Sequence, residues 1–163
     1  MRKVCVISLM LVAVGLAGCG SSGASGTANA VLLKEATTEE INQIEVSFHR
    51  ATSTKNLDLM MSLFADTASL VATGGTYTGP VQIRKFFAAA APFQPQNHWM
   101  GDTPAFKIRI TADGDAGTLY FECHYVDKDT RQMTSVIAAD TKVARINGHW
   151  LITKFVGVPT TLG

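Results

Sequence analysis

The C-terminal part of the chain constrains the fold most. Strand-like segments lie near 97–103, 105–111, 116–127, 132–145 and 149–156. Alternation of side chains at period two marks strands that bury one face. The breaks between these segments are short and hold turn residues. Asp113-Gly114 and Asn147-Gly148 suit hairpins, and residues 127–130 separate the two longest segments. Breaks this short join antiparallel neighbours, because a parallel pair needs a crossover of roughly a dozen residues or more. The expectation is a long antiparallel meander.

Helical spacing dominates upstream. Thr37-Thr38-Glu39-Glu40 fits a capping box and opens a first helix, with Ile41, Ile44, Phe48 and Ala51 as its buried stripe. After a polar break at 52–56, Leu57, Met60, Met61 and Phe64 share one face of a short second helix that Asp66 ends. Residues 69–73 read as a strand turned by Gly74-Gly75 into a second at Tyr77 and Thr78. Gly79-Pro80 starts a third helix, since proline suits the first helical turn. It buries Ile83, Phe86, Phe87 and Ala90, and Pro92 closes it. The order gives an α+β fold, with N-terminal helices packed on one face of a curved sheet. Such a sheet leaves a concave space where pockets form.

The N-terminus is read as targeting sequence. Arg2 and Lys3 precede a mostly apolar run over 4–14, too short to span a bilayer, which takes roughly 20 residues. It ends in Leu16-Ala17-Gly18-Cys19, which resembles the bacterial lipoprotein signal. That resemblance implies removal of residues 1–18, lipid on Cys19 and residence at the cell envelope. Gly20, in place of an aspartate, implies the outer membrane where the host has two. Residues 19–36 are expected to be a flexible Gly/Ser tether. From Cys19 to Glu35 its typical reach is about 20–24 Å. Residues 37–163 form one domain.

Without Arg2 and Lys3, the 14 Lys and Arg become 12 against 13 Asp and Glu, so the surface does not suit nucleic acid. Cys5 leaves with the signal and Cys19 carries lipid, so Cys123 has no disulfide partner within the domain. The four histidines lack metal-ligand spacing, and "GGTYTG" lacks the features of a phosphate loop. No metal and no cofactor is expected.

Four stretches, "NLDLMMSLFADTASLV", "GTYTGPVQIRKFF", "NHWMGDTPAFKI" and "INGHWLITKF", in this order resemble the SnoaL-like branch of the nuclear transport factor 2-like superfamily. The resemblance implies a cone-shaped curved sheet under helices, a deep apolar pocket and frequent homodimers. Its members include cyclases, dehydratases, isomerases and non-catalytic binders. His98 and His124 match the two pocket histidines of the scytalone dehydratase branch, allowing one inserted residue between them. That branch also uses an aspartate near the place of Ser53, and polar residues where Ile137 and Ala139 stand here.

Strand parity sorts the candidates. Tyr120, Glu122, His124 and Val126 share one face of their strand; Leu119, Phe121, Cys123 and Tyr125 share the other. Cys123 and His124 therefore cannot form a thiol–imidazole pair. If His124 faces the pocket, Glu122 and Tyr120 face it too. His98, His124 and Glu122 are then the catalytic candidates, because histidine titrates near neutrality and desolvation raises a carboxyl pKa towards that of a base. Tyr120, Val126, Ile137 and Ala139 are candidate ligand contacts. His49 flanks the stripe of the first helix as a weaker pocket candidate, and Asp140 is a late-chain acid of the kind SnoaL-type cyclases use. Trp99 is expected in the core or at a dimer contact, Trp150 in the core, and His149 in solvent. The expected function is binding of a small apolar molecule, with cofactor-free lyase, isomerase or cyclase chemistry at these histidines. The alternative is a non-catalytic envelope module that binds a ligand or a protein.

Overall fold

The computed structural model describes residues 22–101 and 106–160. The expected signal sequence and Cys19 lie outside them. Helix α1 (Ser22–Thr54) and the short α2 (Leu57–Met61) precede strands β1 (Phe64–Ala72) and β2 (Gly75–Thr78). Helix α3 (Gly79–Ala89) and a 3-10 turn (Ala91–Phe93) follow. Then come β3 (Trp99–Gly101), β4 (Phe106–Asp113), β5 (Ala116–Asp127), β6 (Met133–Ile146) and β7 (His149–Pro159).

The strands make one sheet in the order β2-β1-β7-β6-β5-β3, with β4 also paired to β5. Strands β4 to β7 form an antiparallel meander, as its short turns require, whereas β3 pairs antiparallel with β5 and not with its sequence neighbour β4. Asn147 and Gly148 both have positive φ, 52° and 82°, as a tight hairpin turn needs. One pair departs from the antiparallel expectation: β1 runs parallel to β7. Nearly the whole domain separates them in sequence, so a crossover connection is available. Register shifts between Tyr125 and Val126, and between Lys142 and Val143, bend the long strands, as bulges do.

The inner face of the sheet holds the core. Leu119, Phe121, Cys123 and Tyr125 of β5 are buried there under Ile41, Ile44 and Phe48 of α1. Phe48 meets Phe121 edge-on at 5.4 Å and stacks on Phe155 at 5.6 Å. These ring pairs fix α1 across the sheet.

Two boundaries move. Helix α1 begins at Ser22, inside the expected tether. Thr38 does not cap it; its hydroxyl donates to the Lys34 carbonyl at 2.9 Å, a bond of the helix interior. Residues 30–36 are mostly good helix formers, so the helix propagates backwards through them. Phe64, expected at the end of α2, opens β1 instead. Helix α2 is capped by Asn56, whose Oδ1 accepts from the Leu59 N–H at 2.9 Å.

Candidate functional site

A cavity of about 340 Å³ lies between α3 and the inner face of the sheet. Phe86 and Phe87 of α3, with Ala90 just past its end, form one wall, and Pro92 and Phe93 of the 3-10 turn form the rim. The sheet supplies Trp99, Tyr125, Ile137 and Phe155, and α1 supplies Phe48 and Thr52. No charged side chain lines the cavity among the described residues. Its polar side-chain groups are the hydroxyls of Thr52, Thr73, Tyr125 and Ser135 and the indole N–H of Trp99.

Each wall follows from local sequence. Phe86 and Phe87 lie within the apolar stripe of α3. Tyr125 and Ile137 face inward by parity, Tyr125 pairing with Ser135 and Cys123 with Ile137 across the β5–β6 ladder. Trp99 was expected in the core or at a dimer contact, yet it lines the cavity. Strand β3 pairs with the far end of β5, which brings Trp99 beside Tyr125 with ring centres 6.1 Å apart.

A buried polar cluster sits behind this wall. Glu45 and His49, one turn apart on α1, are 1% and 0% exposed. His49 Nδ1 lies 2.5 Å from Glu45 Oε1 and 3.1 Å from the Glu45 carbonyl. Among the described residues, His49 Nε2 has no hydrogen-bond partner. Tyr125 bonds to both Thr52 and Cys123 through its side chain. Burial holds the Tyr125 phenol well above its ordinary pKa, and the neighbouring Cys123 pushes the same way, against a smaller pull from Thr52. Burial likewise raises the Cys123 thiol well above its ordinary pKa, partly offset by Tyr125 and reinforced by the charge of Glu45. A thiol held protonated is a poor nucleophile.

The expected catalytic group is not assembled in the cavity. His98 is half exposed and pairs through Nδ1 with Asp129 in the β5–β6 turn. Glu122 and His124 are buried, but on the outer face of β5, opposite Cys123 and Tyr125. There Tyr120 donates to Glu122 Oε1 at 3.0 Å, Lys107 Nζ lies 3.2 Å from the same oxygen, and His124 Nε2 stands 3.5 Å from Oε2. Arg109 covers the Tyr120 ring at 3.8 Å. Burial does push the Glu122 carboxyl up, as expected, but the bonds from Lys107, Tyr120 and His124 outweigh it and leave its pKa lowered. That corrects its reading as a raised base. Of the expected ligand contacts, Ile137 lines the cavity. Ala139 is buried on the same face, in register with Phe121. Tyr120 and Val126 do not line it, because their strand face turns away. Asp140 is exposed opposite Tyr120. Among the described residues, no group of three or more His, Cys, Asp or Glu is placed to hold a metal ion, and no helix is long and apolar enough to cross a membrane.

The i, i+4 spacing of Glu45 and His49 was visible in the sequence. Thr52, three residues further, continues the same strip of α1. What hid them was their place beside the obvious apolar stripe.

A bent sheet wrapped over helices, with a cavity at their junction, is the nuclear transport factor 2-like, or cystatin-like, architecture. The chain belongs to the SnoaL-like domain family, which matches residues 36–156. No curated protein matches the sequence. Solved structures share the fold at low identity. An NTF2-like protein with a cystatin-like fold from Novosphingobium aromaticivorans superposes with a TM-score of 0.69 at 12% identity, covering 90% of this chain and 94% of that one. An NTF2-like protein of unknown function from Pseudomonas putida gives 0.67 at 13% identity, covering 76% and 87%. A dehydratase candidate of the NTF2-like family from Streptomyces avermitilis gives 0.63 at 12% identity, covering 78% and 99%.

Proposed function

We propose that this SnoaL-like domain binds one small, uncharged, largely apolar molecule in the cavity under α3. The single observation that carries this reading is the cavity itself: about 340 Å³, aromatic-walled, with uncharged hydroxyls and one indole as its polar side chains. Ligand sites are typically apolar concavities of roughly 300–1,000 Å³ with a few placed polar groups. Thr52 and Tyr125 lie together on one wall and suit one oxygen of the ligand. The test is calorimetric titration of the full chain with a panel of bicyclic aromatic compounds. Wild type is expected to bind at least one of them, and Ile137→Trp, which fills the cavity, is expected to bind none while keeping its circular dichroism spectrum. Equal binding by Ile137→Trp would place the ligand elsewhere and sink the reading.

A second element concerns location. Leu16-Ala17-Gly18-Cys19 supports export, with lipid on Cys19 holding the domain at the envelope. Metabolic labelling with an alkyne fatty acid is expected to mark wild type and not Cys19→Ala. Equal labelling of both would remove the anchor.

A further inference from the structure

We propose that His49, oriented by Glu45, is the hydrogen-bond acceptor that selects a hydroxyl-bearing ligand for this cavity. This rests on the cavity reading above and narrows the ligand to a phenol, enol or alcohol.

The inference starts from the imidazole. Its Nδ1 faces two acceptors, the Glu45 carboxylate at 2.5 Å and the Glu45 carbonyl at 3.1 Å. Both require a proton on Nδ1. Nε2 of the neutral ring is then a lone pair, able only to accept. It is fully buried and has no partner among the described residues. Buried polar atoms are seldom left so, because desolvation is not repaid without a bond. A donor is therefore missing from this arrangement, and a ligand hydroxyl supplies one.

Position agrees with chemistry. Nδ1 points back one helical turn to Glu45, so the opposite edge of the ring, Cδ2 and Nε2, points away from it. That edge abuts Gly101 of β3: a side chain begun there would meet His49 Cδ2 at 2.8 Å and Thr52 Oγ1 at 3.1 Å. Thr52 is part of the cavity wall, as is Trp99 two residues before Gly101 on the same face of β3. The Cδ2 edge of His49 and the Thr52 hydroxyl thus flank one point of β3; Thr52 lines the cavity and His49 stands behind it, so a ligand hydroxyl reaches Nε2 only past the Thr52 side chain. Glycine at 101 is what lets the ring occupy this place. Phe48 and Phe121 pack edge-on to the ring and hold its plane.

Two probes of nearly one shape test this: 2-naphthol, which carries an O–H, and 2-methoxynaphthalene, which carries none. Wild-type full chain is expected to prefer the naphthol by about tenfold or more, the scale of one hydrogen bond to an otherwise unpaired buried acceptor. The ¹⁵N resonance of His49 Nε2 is expected to shift with the naphthol alone. His49→Phe keeps an aromatic ring but no acceptor, and is expected to lose the preference while binding the ether as before. Glu45→Gln serves where that variant folds poorly. It keeps both acceptors for the Nδ1 proton, the amide oxygen and the Glu45 backbone carbonyl, so Nε2 stays a lone pair and the preference for the naphthol is expected to persist; its loss would place the selection on the Glu45 charge and not on Nε2. Binding of both probes without preference, with a still Nε2 signal, overturns the inference and leaves the cavity reading standing. Failure of wild type to bind either probe overturns both.

Discussion

The Lys55 ammonium donates to the Asn97 carbonyl across 2.7 Å, and this contact ties the end of α1 to the rim of the cavity. The same ammonium also reaches the carbonyls of Pro92 at 3.0 Å and Gln94 at 2.8 Å. Lys55 itself has φ 55°, a left-handed conformation that lysine rarely adopts. A strained residue persists only where its surroundings hold it, and here three carbonyls of one segment do so.

Removing the ammonium should loosen that rim. Lys55→Met is expected to cost about 1.5–3 kcal/mol, the range for hydrogen bonds to a charged group. Lys55→Gly is expected to cost less, because glycine relieves the backbone while losing the same bonds. Urea unfolding compares the two. Hydrogen exchange at Gln94 and Asn97 should quicken in both. A larger loss in the glycine variant would contradict the strain argument.

Gly101 and His49 should behave as a coupled pair. Gly101→Ala places a methyl group against the imidazole edge and is expected to destabilise the domain by about 1–3 kcal/mol, as overpacking does. In a His49→Ala background that increment should shrink, because the obstructing ring is gone. A double-mutant cycle measures the coupling, and additive effects would show that the methyl group strains something else.

Glu122 should make stability depend on acid. Its folded pKa is lowered, so the unfolded chain takes up the proton first. The contribution is fully present above the ordinary value of 4.5 and is lost as pH falls through the folded value. Glu122→Gln is therefore expected to be less stable than wild type at pH 7, with the gap closing as the pH drops below about 4. Urea midpoints across that range decide it. A gap that stays constant would mean the carboxylate charge contributes nothing.

Cys123 should be inert in the folded protein. It is buried and its thiol is held protonated. Iodoacetamide at pH 8 is expected to leave the Cys123 peptide unmodified, and to modify it fully in guanidinium. Rapid native labelling would indicate local opening between α1 and β5.

Much of the fold was legible because its signals are local. Asn147-Gly148 gives a tight turn through φ alone, and the stripe Ile41, Ile44, Phe48 and Ala51 is the face that α1 buries. The β1–β7 pairing was not legible, since nothing local to Phe64 or Phe155 specifies a partner so far along the chain. Parity correctly separated Cys123 from His124 but could not say which set faces the helices. Both carry aromatic and ionisable residues, and the choice is made by what packs against β5. Glu122 and His124 of the outer set are buried too, so burial of these residues would not have decided it. Glu45 and His49 were hidden because two charged-type residues beside an apolar stripe normally face water. Here the buried face of α1 is wide enough to take them in.

The early start of α1 changes what a lipid on Cys19 would do. Ser22 is only three residues from that cysteine, and the helix runs unbroken from Ser22 to Thr54. As a coil, residues 19–36 would let the domain wander within a radius of about 20–24 Å. As a helix, the stretch from Ser22 to Glu35 spans roughly 20 Å, at 1.5 Å per residue. The reach is nearly the same, but the distance from Ser22 to the domain no longer varies. An anchored copy would carry its domain at the end of a strut of set length.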